Sequence, residues 1–256
     1  MVNRRAFLVG AGALAVTACS RGGDPTLPGF EPQPDHGQAP NCRNPESLTS
    51  FTTLGGAPLR YEVSGVEQPF KADPRYIEQL EAWAADWVAV SGLGTITAIS
   101  SYGAHVDKCN SWHQAGRAFD FAVVEHGDSK ISCRYDLFGD DEVRLKQYWR
   151  LAASVAKHFT YTLTYRYNQQ HHNHIHIDNG VSGYGATSFD VQSPAHVTLV
   201  QGVARYVFGQ DCPQEGLYDD STKDAVRAVQ RSLGIGNPLA DANGWVDFLD
   251  GAAAAA

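Results

Sequence analysis

The sequence predicts an α+β fold: a small antiparallel sheet with helices on one face, followed by a second, all-α body. Three observations predict it. Short β-branched and aromatic runs with period-two alternation interleave with two long amphipathic stretches. The composition, 43% hydrophobic and 19% charged over 256 residues, is that of a globular chain of one or two domains. Beyond about Ser193 the strand signals stop and only helical periodicity remains.

The first residues read MVNRRAFLVGAGALAVTACS. The apolar run from Phe7 to Ala18 is shorter than the ~20 residues that span a bilayer, so residues 1–19 read as a signal peptide. Arg4 and Arg5 in "RRAFL" resemble a twin-arginine export signal, and "VTAC" resembles a lipobox, which would put a lipid on Cys19 and tie the exported chain to a membrane of the cell envelope. Residues 20–45, rich in Pro and Gly, read as a tether. After Cys19 the cysteines are Cys42, Cys109, Cys133 and Cys212, an even set that suggests disulfides in an exported protein. Cys109 with Cys133 is the expected pair, because both flank the same motif.

Residues 46–190 form the expected α+β body. Asp73 is a natural N-cap with Pro74 at the first helical position, and Tyr76, Leu80, Trp83, Trp87 and Val90 follow as an apolar stripe. Thr95 to Tyr102 reads as a strand, Arg117 to Val124 as a second, and Asp140 to His158 as an amphipathic helix. "YTLTYRY" from Tyr161 is a third strand and "NHIHID" a fourth.

Chemistry concentrates in two stretches. In "SWHQAGRAFDF", His113 and Asp120 lie either side of a glycine turn. Strand alternation places Ala118 and Asp120 on one face, Arg117 and Phe119 on the other. In "HHNHIHID" the same alternation puts His172, His174, His176 and Asp178 on one face, with Ile175 and Ile177 toward the core. A strand anchored by isoleucines is part of a folded body, unlike a tag or a metal-buffering tract. Two imidazoles and a carboxylate on adjacent strands are the N and O donors zinc prefers, and three protein ligands leave a position open for water, the mark of a catalytic site. One Zn2+ per chain is expected. His105, His126, His158 and His196 have no such pattern and read as ordinary polar or half-buried residues, and Arg117 as one half of a structural salt bridge.

These two motifs in order, S-x-H-x-x-G-x-A-x-D and then H-x-x-H-x-H-x-D, resemble the zinc peptidases of the D-Ala-D-Ala carboxypeptidase and lysostaphin-type fold, and most nearly their extensin-like C-terminal family. The resemblance implies that His113, Asp120 and His176 bind zinc, that His174 is the general base or transition-state stabiliser, and that His171 assists it. Asp178 would orient a ligand imidazole. Ser111 and Tyr102 are cleft candidates, with a plain fold role as the alternative. Asn173 stands where the carboxypeptidases carry a glutamate base, which favours endopeptidase action, and strand parity turns His171 away from His174 unless a loop precedes Asn173.

Residues 193–256 carry helical segments from about Ala195 to Phe208 and from Ser221, with a capping-box pattern to Asp224, to Leu233. Gly216, Tyr218, Thr222, Ala225, Val226, Val229 and Gln230 fit a motif resembling the short three-helix peptidoglycan-binding domain. The terminal alanine run leaves the expected third helix short. The function expected from both resemblances is hydrolysis of amide bonds in peptidoglycan peptides by an exported zinc metallopeptidase, of endopeptidase or D-Ala-D-Ala carboxypeptidase type. The alternative is a non-catalytic, metal-containing wall-binding lipoprotein. A formal net charge of -8, with no basic run past the N-terminus, argues against a nucleic-acid partner. The residues carry no signal for an oligomeric state.

Overall fold

A computed structural model describes residues 43–109 and 111–256. The expected signal peptide, the lipidation site Cys19 and the tether up to residue 42 lie outside the described residues. Arg43, at the end of the expected tether, is already docked: its guanidinium pairs with Asp73, and its backbone exchanges hydrogen bonds with the Gln114 side chain.

The described residues form an α+β fold, with a mixed sheet and six α-helices. β1 (Thr49–Phe51) pairs with β4 (Phe70–Ala72) as a separate two-stranded sheet. The main sheet has seven strands: β2 (Thr53–Leu54), β3 (Ala57–Tyr61), β5 (Ala98–Gly103), β6 (Ala118–His126), β9 (Ile175–Asp178) and β8 (Tyr161–Leu163) in spatial order, with β7 (Ser129–Ser132) beside the second half of β6. The expected all-antiparallel sheet is corrected at one place, since β3 runs parallel to β5. Helix α1 (Pro74–Val90) lies between them in the chain and supplies the crossover that a parallel pair requires.

The core forms where the periodicity predicted. Tyr76, Leu80, Trp83 and Trp87 of α1 are fully buried, and Trp83 packs at 4.7 Å on Phe121 of β6. Phe119 and Phe121 on β6, with Ile175 and Ile177 on β9, turn the same way, so the alternate residues Asp120 and His176 share the opposite face. Tyr76 Oη donates to the Ile177 carbonyl at 3.0 Å, which pins the core face of β9 to α1. Helix α3 (Glu142–Ala156) closes this layer, with Trp83 Nε1 donating to Ser154 Oγ at 3.0 Å. α2 (Tyr135–Phe138) is a single turn before it.

The C-terminal helices are α4 (Pro194–Gly202), continued by a π-helical turn Val203–Val207, α5 (Asp220–Ser232) and α6 (Ala242–Ala254). Two details correct the sequence expectation. Asp219, not Ser221, caps α5, accepting from Thr222 N at 2.8 Å. The terminal alanines are no loose tail: Ala252 and Ala253 are buried in α6, in the same apolar cluster as Trp149 of α3. Small residues suit this place because α6 ends over a buried cation. Arg150 donates to the carbonyl of Ala253 (3.1 and 2.9 Å) and to that of Ser91 (2.6 Å), so the carbonyl ends of α6 and α1 stabilise its charge. Among the described residues no helix is long and apolar enough to cross a membrane.

The expected Cys109–Cys133 disulfide is not formed. Cys133 is a free, buried thiol whose burial pushes its pKa up, and Cys109 has its interaction elsewhere.

The close approach of α4 to α3 is testable. A Cβ on Gly202 would stand 2.4 Å from the Trp149 indole, whereas one on Gly236 would meet nothing within 4 Å. Gly202→Ala should therefore destabilise the fold by about 1–3 kcal/mol and lower the melting temperature by several degrees. Gly236→Ala should stay within about 0.5 kcal/mol of the parent in the same thermal melts.

Candidate metal centre

The register of the central strands builds the site. β6 and β9 pair antiparallel with Asp120 directly opposite His176, and Ala118 opposite Asp178. On the other side of β6, Gly103 lies opposite Asp120, just after an irregularity at Ser101. A residue displaced from the ladder in this way is re-aimed, and Tyr102 reaches the His174 ring at 5.9 Å.

His113 comes from the tight turn before β6. Ser111 Oγ accepts from His113 N at 3.3 Å, and Gly116 N donates to the His113 carbonyl at 2.9 Å. Gly116 has φ +68, and its carbonyl accepts from Asp73 N at 2.8 Å, joining this turn to the start of α1. A Cβ at Gly116 would stand 2.8 Å from that same Asp73 N, so no side chain fits. Ser111 thus shapes the turn that carries His113.

Three donor atoms converge. His113 Nε2 and His176 Nδ1 are 3.1 Å apart, and they lie 3.2 and 2.9 Å from Asp120 Oδ1. A tetrahedral ion with bonds of about 2.0–2.1 Å needs neighbouring donors about 3.3–3.4 Å apart, so the triangle is within a few tenths of an ångström of a metal seat. The outer hydrogen bonds point the same way. His113 Nδ1 is 2.6 Å from the Ala104 carbonyl, which only accepts, so the proton sits on Nδ1 and the Nε2 lone pair faces inward. His176 Nε2 is 3.0 Å from Asp178 Oδ2, so its proton sits on Nε2 and Nδ1 faces inward. Such a group of buried His and Asp residues can hold a metal ion.

Two more imidazoles stand beside the triangle. His174 donates from Nδ1 to Asn173 Oδ1 at 2.7 Å, leaving Nε2 free at 3.5 Å from Asp120 Oδ1. His171 donates from Nδ1 to Asn168 Oδ1 at 2.6 Å, and its ring lies 5.2 Å from that of His174 and 5.7 Å from that of His176. Strand parity fails for the first half of the tract, because β9 begins only at Ile175. A 3₁₀ turn, Gln169–His171, with Asn168 as its cap, swings His171 toward the site. His172 faces away, its edge on the stacked rings of Tyr135 and Tyr165.

Charge follows these contacts. Burial acts to raise Asp120, but His113, His176 and His174 outweigh it and hold its carboxyl well below the usual range. Burial disfavours the imidazolium of His176, yet the hydrogen bonds to Asp120 and Asp178 push its pKa up to about 10. Burial pushes His174 down to about 4 and His171 well below the usual range, so both rings are neutral near pH 7. Burial raises Tyr102, whose hydroxyl is hydrogen-bonded by the Asn173 side chain.

The structure therefore brings together His113, Asp120, His176, His174 and His171, with Asp178 and Tyr102 behind them. Arg117 is a correction: among the described residues it makes no salt bridge, donating instead to Asn179 Oδ1 (2.7 Å) and to the Asn179 carbonyl (3.0 Å) under the Trp112 and Tyr184 rings. Asn168 and the Ala104 carbonyl were missed. The Asn-x-x-His spacing before His171 was a readable signal for the first; a backbone carbonyl leaves none. Comparison of the chain with protein-family models, curated proteins and solved structures finds no match.

Two outcomes are expected for metal binding. Replacing Asp178 by Asn should weaken divalent-metal affinity about 10–100-fold, read by competition with a chromogenic chelator. In the ion-free site His176 holds a proton below a pKa of about 10, and an entering ion must displace it. Affinity should therefore rise about tenfold per pH unit between pH 7 and 9, and fall as pH drops.

Proposed function

We propose that the chain is an exported zinc metallopeptidase that hydrolyses amide bonds in peptidoglycan peptides. The observation that carries this reading is the convergence of two imidazole nitrogens and one carboxylate oxygen within 3.2 Å of one another, flanked by two further neutral imidazoles. Two nitrogens and one oxygen suit zinc, and three protein donors are the count of a catalytic rather than structural site. Zinc held by them supplies Lewis acidity toward an amide carbonyl and lowers the pKa of water.

The chain's own residues do the rest. Asn173 holds the proton of His174 on Nδ1, so Nε2 accepts a proton as water adds to the carbonyl, then returns it to the departing amine. This offers an answer to the missing glutamate: Asn173 does not act as a base but orients one. His171, held the same way by Asn168, adds a second acceptor beside it. Asp178 holds Nε2 of His176, so Nδ1 faces Asp120 and His113, where a metal would be held.

The substrate class rests on the resemblance of residues 46–190 to the extensin-like peptidases and of residues 193–256 to the three-helix peptidoglycan-binding domain. In this reading the second part keeps substrate near the site by a tethered contact, and a lipid on Cys19 holds both at the envelope. The test is mass spectrometry of muropeptides after purified peptidoglycan meets the zinc-loaded chain. New fragments should appear, and chelation or His174→Ala should cut their rate at least about 100-fold. Unchanged muropeptides from a chain that holds zinc and binds the wall would establish the non-catalytic wall-binding protein instead.

A further inference from the structure

The donors at the site outnumber what one ion needs. Besides the triangle of His113, Asp120 and His176, the ligand atoms of His171, His174 and His176 also lie within 4.8 Å of one another. His171 and His174 share a construction that His113 and His176 do not. Each spends its Nδ1 proton on an asparagine side chain, at 2.6 Å to Asn168 and 2.7 Å to Asn173, and each leaves an unprotonated Nε2.

The sharing of His176 decides how two such groups can be filled. Its Nε2 is committed to Asp178 and its Nδ1 to the first triangle, and an imidazole nitrogen binds one ion at a time. Asp120 is different, because a carboxylate has two oxygens and can bridge two ions, as in sites where metals lie about 3.5–4 Å apart. His174 Nε2 is already 3.5 Å from Asp120 Oδ1.

We propose that His171, His174 and a bridging Asp120 form a second, weaker position for zinc, filled when zinc is in excess, and that an ion there shuts the site down by occupying Nε2 of His174. The inference rests on the reading of His113, Asp120 and His176 as the first zinc position. The second is weaker for two reasons. It adds a dication beside a dication already bound, and His174 Nε2 stands 3.5 Å from Asp120 Oδ1 where the donors of the first position stand 2.9–3.2 Å apart.

Zinc titration of the metal-free full chain by isothermal calorimetry tests it. The parent should take up two equivalents, the second at least tenfold more weakly. His171→Ala should keep the first step and lose the second, whereas His113→Ala should lose the tight step. Asn168→Ala, which leaves His171 in place but frees its ring, should weaken only the second step about 10–100-fold, and so covers the case in which His171→Ala fails to fold. A single equivalent in the parent, or a second step that survives His171→Ala, would overturn the proposal and leave the first position intact. Absence of any binding would overturn the first position as well, and is distinct from either result.

Discussion

Asp120 and His176 face each other across β6 and β9, and the neighbouring chemistry is arranged to make that pairing tolerable in a buried place. A carboxylate and an imidazole taken out of water cost several kcal/mol unless their remaining polar atoms are satisfied. Asp178 takes the outer nitrogen of His176, the Ala104 carbonyl takes that of His113, and the Asn173 and Asn168 amides take those of His174 and His171. Each partner consumes an N–H that would otherwise point into the cluster. What is left facing inward is a set of acceptors with no proton donor of their own. Such a set repels itself until a cation enters, either a proton on His176 or a metal ion.

The fold serves this centre by giving the two faces of the same strands opposite roles. Phe119, Phe121, Ile175 and Ile177 are fully buried against α1 and α3, so β6 and β9 cannot slip by one residue without turning aromatic rings outward and the polar cluster into the core. The register that brings Asp120 opposite His176 is thus set by hydrophobic burial on the reverse side. Behind it, α4 and α6 pack onto α3 through Gly202 on Trp149 and through Arg150 under the end of α6, so the C-terminal helices belong to the same apolar cluster as the sheet.

Period-two and heptad-like patterns made much of this readable. The stripe of α1, the core-facing isoleucines of β9 and the alternation around Asp120 follow from residues close in sequence, where local geometry decides. Three features were not readable, each for a non-local or stereochemical reason. The parallel pairing of β3 with β5 depends on a crossover, which no single strand's pattern records. His171 joins the site through a 3₁₀ turn that breaks strand parity, and only Asn168 three residues earlier hinted at it. Cys133 looked like a partner for Cys109 by proximity to the motif, yet it points into the core beside Tyr148, where a thiol behaves as a small hydrophobe. The alanine run was likewise ambiguous: small residues suit a tail, and equally a helix pressed against another.

The proposed chemistry depends on the triangle of donors being a metal seat. Anomalous diffraction at the zinc edge from crystals of the zinc-loaded chain tests it most directly. A peak bonded to His113 Nε2, Asp120 and His176 Nδ1 is expected, at about 2.0–2.2 Å from each. A peak elsewhere in the histidine tract, or none in a crystal that contains zinc in its mother liquor, would contradict it.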